Sequence, residues 1–109
     1  MIVTIANDIK NLSGDGYDYV ADHEKVLVLP GVRIRAYGNG VASDYSNSTL
    51  INNGHILAPH DLAVGFGPET DDSEIVNSAT GSMRGGEGAV MEGGGSEVFG
   101  NFGHVKDVL

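Results

Sequence analysis

The sequence predicts an all-β fold of the solenoid type, a short coil of about four rungs in a single domain, 1–109. Three observations carry that expectation: three short apolar units that repeat in constant order, turn signals too dense for helices, and a shortage of large side chains. The 109 residues include 17 glycines, no tryptophan and only 6% aromatics, so a core must come from many small aliphatic contacts between tight turns. At 40% hydrophobic residues the chain has the apolar mass to fold, and its length suits one domain.

Strands come first. Apolar residues alternate in Val32-Arg33-Ile34-Arg35-Ala36-Tyr37, the period of a half-buried strand, and run unbroken in Val26-Leu27-Val28-Leu29. Pro30-Gly31, Gly38-Asn39-Gly40, Asn53-Gly54, Gly67-Pro68, Gly85-Gly86 and Gly93-Gly94-Gly95 punctuate the chain into short strands.

The repeat then organises them. Ser48-Thr49-Leu50-Ile51-Asn52 aligns with Ser73-Glu74-Ile75-Val76-Asn77 and with Ser96-Glu97-Val98-Phe99-Gly100, at spacings of 25 and 23 residues. Each is followed by a second unit (Gly54-His55-Ile56, Gly81-Ser82-Met83, Gly103-His104-Val105) and preceded by a third (Gly40-Val41-Ala42, Ala63-Val64-Gly65, Ala89-Val90-Met91). One period of three strands matches one turn of a coil, which buries its inward side chains only by stacking on its neighbours. The rungs fall at about 40–57, 62–84 and 88–106, within a repeat region 38–109; residues 17–37 read as a degenerate rung and 1–16 as an N-terminal cap or lead-in. Val41/Val64/Val90 and Ile56/Met83/Val105 are expected as inward stacks, which turns His55 and His104 outward with Ser82 between them.

Charge bounds the partners. Fifteen acidic residues against six basic ones give a net charge of -9, which opposes attraction to nucleic acid. Arg33 and Arg35 are the nearest approach to a basic cluster, and two residues are too few. The absence of cysteine excludes a disulfide, a thiolate nucleophile and a cysteine zinc site. The N-terminus has neither the basic start nor the apolar stretch of a cleavable signal, and no apolar run approaches the ~20 residues of a membrane helix. No GxSxG, HExxH, phosphate-loop or dinucleotide motif occurs, and four rungs make a short wall for a polymer substrate. No enzymatic activity is expected.

Leu50-Ile51-Asn52-Asn53-Gly54-His55-Ile56, Glu74-Ile75-Val76-Asn77-Ser78 and Gly88-Ala89-Val90-Met91-Glu92-Gly93-Gly94-Gly95-Ser96-Glu97-Val98 resemble the β-helical repeat regions of large bacterial secreted proteins, the autotransporter passengers and the RTX calcium-binding class. The resemblance covers residues 38–106. It implies a right-handed parallel β-helix, an extracellular setting, and a role as stalk, adhesive surface or carrier. Ser13-Gly14-Asp15-Gly16-Tyr17-Asp18-Tyr19-Val20 is similar to one RTX nonapeptide, with Ser13 for its first glycine. In that family Asp18 would give a carboxylate to Ca²⁺ and Val20 would point inward. Ca²⁺ is thus the one cofactor implied.

Two acidic clusters carry oxygen ligands dense enough for such an ion: Asp15, Asp18, Asp22 and Glu24 around His23, and Glu69, Asp71, Asp72 and Glu74 with Thr70. Asp15 and Asp18 are the candidate metal residues; the alternative for both clusters is a solvated turn. The remaining candidate surface is apolar. Leu50-Ile51, Ile75-Val76 and Val98-Phe99 each put apolar residues on both faces of a strand, so Ile51, Val76 and Phe99 form an outward column. Either a second copy or residues 1–12 would cover it. The chain therefore reads as a non-enzymatic, self-associating structural or interaction module. The alternatives are an RTX-like calcium-binding module and a carbohydrate-binding or polysaccharide-processing fragment.

Overall fold

The computed structural model describes residues 2–67, 71–86, 88–91 and 98–107, and among them there are strands and turns but no helix. The first of three sheets stacks β1 (Ile2–Ile5), β4 (Lys25–Val28), β7 (Thr49–Asn52), β10 (Glu74–Asn77) and β13 (Val98–Asn101). The second stacks β2 (Ile9–Asn11), β5 (Arg33–Ala36), β8 (His55–Ala58), β11 (Ser82–Gly85) and β14 (His104–Asp107). The third stacks β3 (Tyr17–Asp18), β6 (Val41–Ser43), β9 (Leu62–Phe66) and β12 (Gly88–Met91). Every pairing is parallel, and each turn gives one strand to each sheet in order, which is a β-solenoid.

The registers follow the repeat. Leu50 pairs with Ile75, Ile56 with Met83 and Val41 with Val64, and all six are at most 1% exposed. Val105 continues the second stack and packs on the core. Val90 pairs with Val64, and its side chain lies outside the described residues. Residues 2–18 do not run along the coil as a cover. They form a turn of their own, with β1, β2 and β3 each pairing a strand of the following turn.

The last repeat departs from the sequence alignment by one residue. Glu74 pairs with Val98, Ile75 with Phe99, Val76 with Gly100 and Asn77 with Asn101. Phe99 therefore stands at the register of Val26, Leu50 and Ile75, the inward column, and not beside Val76. The physical reason is the asparagine. Asn52 donates from Nδ2 to Asn77 Oδ1 at 2.9 Å, and Asn77 Nδ2 donates to Asn101 Oδ1 at 3.0 Å. Matching Ser96 to Ser73 would break that ladder. Asn52 and Asn77 are fully buried at a corner where the chain turns between sheets, and their amides also donate to the carbonyls of Gly54 and Gly81. A buried carbonyl left without a donor costs about 1–3 kcal/mol. The corner is too tight for a side chain: a Cβ on Gly81 would lie 2.3 Å from Asn77 Oδ1.

Another corner repeats backbone geometry. His23, Asn47 and Asp72 have φ of 62°, 56° and 54°, the left-handed region that histidine, asparagine and aspartate tolerate better than most residues. Each precedes an inward polar residue, Glu24, Ser48 or Ser73, and all three of these are buried.

Asn77→Ala should lower stability by about 2–3 kcal/mol, because Asn52 loses its acceptor and the carbonyls of Gly81 and His104 lose their donor. Urea denaturation followed by circular dichroism measures the loss. An unchanged midpoint would contradict the ladder's role.

Candidate functional site

The third sheet's outer face carries an open cleft of about 480 Å³. Its floor is the outward column Asp18, Ala42 and Gly65, which the register places side by side on successive turns. Small floor residues leave the space. A Cβ on Gly65 would approach the Asn39 amide nitrogen to 2.9 Å. One wall is formed by Asp15, Asn39 and Leu62, and the other by Asp44, Tyr45 and Gly67. Behind the floor, the buried rings of Tyr19 and Phe66 meet edge to face at 5.6 Å and 74°.

Asp15 and Asp18 do come together. Asp18 shares a side-chain hydrogen bond with Asp15. That bond, then burial, then the charges of Asp15 and Asp44 push its carboxyl up to about 6. Asp15 Oδ1 also accepts the Asn39 amide of the next turn at 2.8 Å. The pair with Asp44 can hold a proton or attract a cation, while among the described residues no group of three carboxylates or imidazoles is arranged to hold a metal.

The other members of the first acidic cluster are used by the coil. Asp22 Oδ1 accepts the Ser46 amide at 2.9 Å, again one turn on. Glu24 is fully buried, taking hydrogen bonds from the Tyr17 hydroxyl and the Val20 amide at 3.2 Å. Burial first, then the Glu24 bond and charge, push the Tyr17 phenol up to about 12. In the second cluster Asp71, Asp72 and Glu74 are exposed, and Glu69 and Thr70 lie outside the described residues.

The strand phase contradicts the RTX nonapeptide. Tyr19 is 4% exposed and Val20 65%, so the tyrosines point inward and Val20 faces solvent. The reason is that Tyr17 and Tyr19 bury more apolar surface than Val20 could, and both hydroxyls find partners, Glu24 and the Thr49 carbonyl. Sequence reasoning reached Asp15 and Asp18 as neighbours but missed Asn39, Asp44, Tyr45 and the floor residues Ala42 and Gly65, whose positions lie one or two turns further along the chain.

The expected apolar column is shorter than read. Ile51 and Val76 stack with Leu27, and all three are half-buried against one another; Gly100 takes the next position in place of Phe99. His55 and His104 are exposed as expected, and His55 Nδ1 lies 2.6 Å from Ser82 Oγ. No protein-family model matches the chain, and no curated protein or solved structure matches it either.

Asp18 makes stability depend on pH. Its folded value, about 6, lies above the ordinary 3.8, so the folded protein binds this proton more tightly than the unfolded chain does. The stability it lends is complete below about 4 and is lost as pH rises through 6. Asp18→Asn should therefore raise Tm modestly at pH 7 and leave it near the parent's at pH 3.5. Melts at both pH values check this; a variant less stable than the parent at pH 7 would exclude the shift.

Proposed function

We propose that this chain is a non-enzymatic structural and interaction module, a rigid coil that presents flat faces to partners. One observation supports the reading most: Asp15 and Asp22, two members of the first acidic cluster, are spent with other polar side chains on holding turns together. Asp8, Asp15 and Asp22 each accept a backbone amide from the following turn, those of Arg33, Asn39 and Ser46. Asn39 likewise accepts from Leu62. A residue fixed in that way is a poor candidate for a step in which a proton or nucleophile must move.

Self-association through the first sheet has a narrower basis than the doubled apolar pattern suggested. Leu27, Ile51 and Val76 bury much of themselves by stacking, and the largest member of the expected column leaves it. A second reading, a calcium-dependent module, is favoured by the three aspartates of the cleft. A divalent ion there would replace the shared proton between Asp15 and Asp18.

Incubation with a panel of neutral and acidic polysaccharides should release no reducing ends and no unsaturated products. Sustained release that scales with protein concentration would make the chain an enzyme. Millimolar Ca²⁺ should leave Tm unchanged within error at pH 7, in the parent and in Asp18→Asn alike. A rise in the parent that Asp18→Asn abolishes would put the calcium reading first.

A further inference from the structure

Five of the chain's six basic residues belong to one sheet. On the second sheet the register sets Lys10 beside Arg35, Arg35 beside Leu57, Leu57 beside Arg84, and Arg84 beside Lys106. The neighbouring outward column runs Arg33, His55, Ser82, His104. Lys10, Arg33, Arg35 and Arg84 are exposed, and β2, β5, β8 and β11 contain no acidic residue. Among the described residues none of these four bases forms an ion pair. A chain of net charge -9 thus carries a basic stripe along its axis; Asp107 of β14, at the register of Gly85, is the one acidic residue within these five strands, and Asp8 at the sheet's edge accepts the Arg33 backbone amide.

At one edge of the stripe stands an exposed aromatic corner. The rings of Tyr37 and His60, from successive turns, lie 4.6 Å apart at 34°. They share a small cleft of about 60 Å³ with Arg35, Leu12 and Pro59. A guanidinium beside an exposed ring is suited to a ligand with an anionic group next to a flat apolar face.

We propose that the outer face of the second sheet binds a linear acidic polysaccharide, a polymer of carboxylate-bearing sugars lying along the coil axis. The proposal rests on the interaction-module reading and names its partner. Three points select that occupant. The face, five strands of about four residues, covers roughly 300 Å², well under the ~800 Å² per partner of a stable protein interface. Nucleic acid carries one charge per ~1.7 Å of duplex axis, some three times denser than even one base on every turn at ~4.8 Å, and β8 carries neither lysine nor arginine. A polymer with one carboxylate per ring places charges at a spacing closer to that of the turns, lets arginine take each carboxylate through two N–H groups, and offers ring faces to Tyr37.

The test uses the full chain with polygalacturonate at low salt, measured by calorimetry. Binding is expected, weakening as salt is raised and at least tenfold weaker in the exposed pair Arg35→Glu with Arg84→Glu. Tyr37→Ala should weaken polygalacturonate and leave any residual binding of polyglutamate unchanged. Equal binding of polyglutamate, tighter binding of single-stranded DNA, or no binding of any of these polymers would each overturn the proposal. Cleavage of the polymer would instead overturn the non-enzymatic reading, so the two failures are distinct. Far-ultraviolet circular dichroism of each variant confirms that lost binding is not lost fold.

Discussion

The whole coil depends on how its corners dispose of polar groups. Strand backbones satisfy one another across parallel sheets, but every turn must change direction three times, and there the N–H and C=O groups leave the ladder. This protein closes those gaps with backbone bonds between successive turns and with side chains reaching one turn along. Asn52 and Asn77 do so inside, with Asn101 accepting from Asn77 at the exposed end of the ladder, and Asp8, Asp15, Asp22 and Asn39 do so at the other corners. Buried corner groups are costly to leave unmatched, whereas an inward aliphatic residue can be exchanged for another of similar size at little cost. The corners therefore fix register, and the apolar stacks follow it.

That hierarchy explains what the sequence made legible. The period was readable because turn and strand recur in order, and the stacks of Val41 with Val64 and of Ile56 with Met83 followed directly. The last repeat was misaligned because serine and hydrophobic identity were matched, Ser96 to Ser73, while the asparagine that sets the register was left facing Gly100. Aligning Asn101 with Asn77 sets Phe99 at the register of Leu50 and Ile75. That residues 2–18 form a turn of their own is not legible in the sequence, because β2 and β3 are three and two residues long, too short for a periodicity to show.

The surface was less legible than the core. Asp15 and Asp18 could be paired because they are three residues apart. Asp44 joins them from the next turn, and Gly65 completes the floor from the one after. The basic stripe was invisible for the same reason. Lys10, Arg35, Arg84 and Lys106 are widely scattered along the chain, and only the closure of each turn brings them into line. A coil turns separation by one period into contact, so charge in such a protein has to be counted by column and not by window.

The energetics of that column bear on its meaning. Like charges directly opposite each other on neighbouring strands are destabilising, and Lys10 with Arg35 and Arg84 with Lys106 are such neighbours. The first sheet manages its outward column differently, with Lys25, Thr49 and Glu74 in succession, a base and an acid separated by a neutral residue. A coil under selection for stability alone would mix signs on the second sheet as it does on the first. With fifteen carboxylates available, the chain instead keeps acid out of β2, β5, β8 and β11. An anionic ligand relieves that repulsion when it binds, so the same contacts that recognise the polymer would also stabilise the coil that presents them.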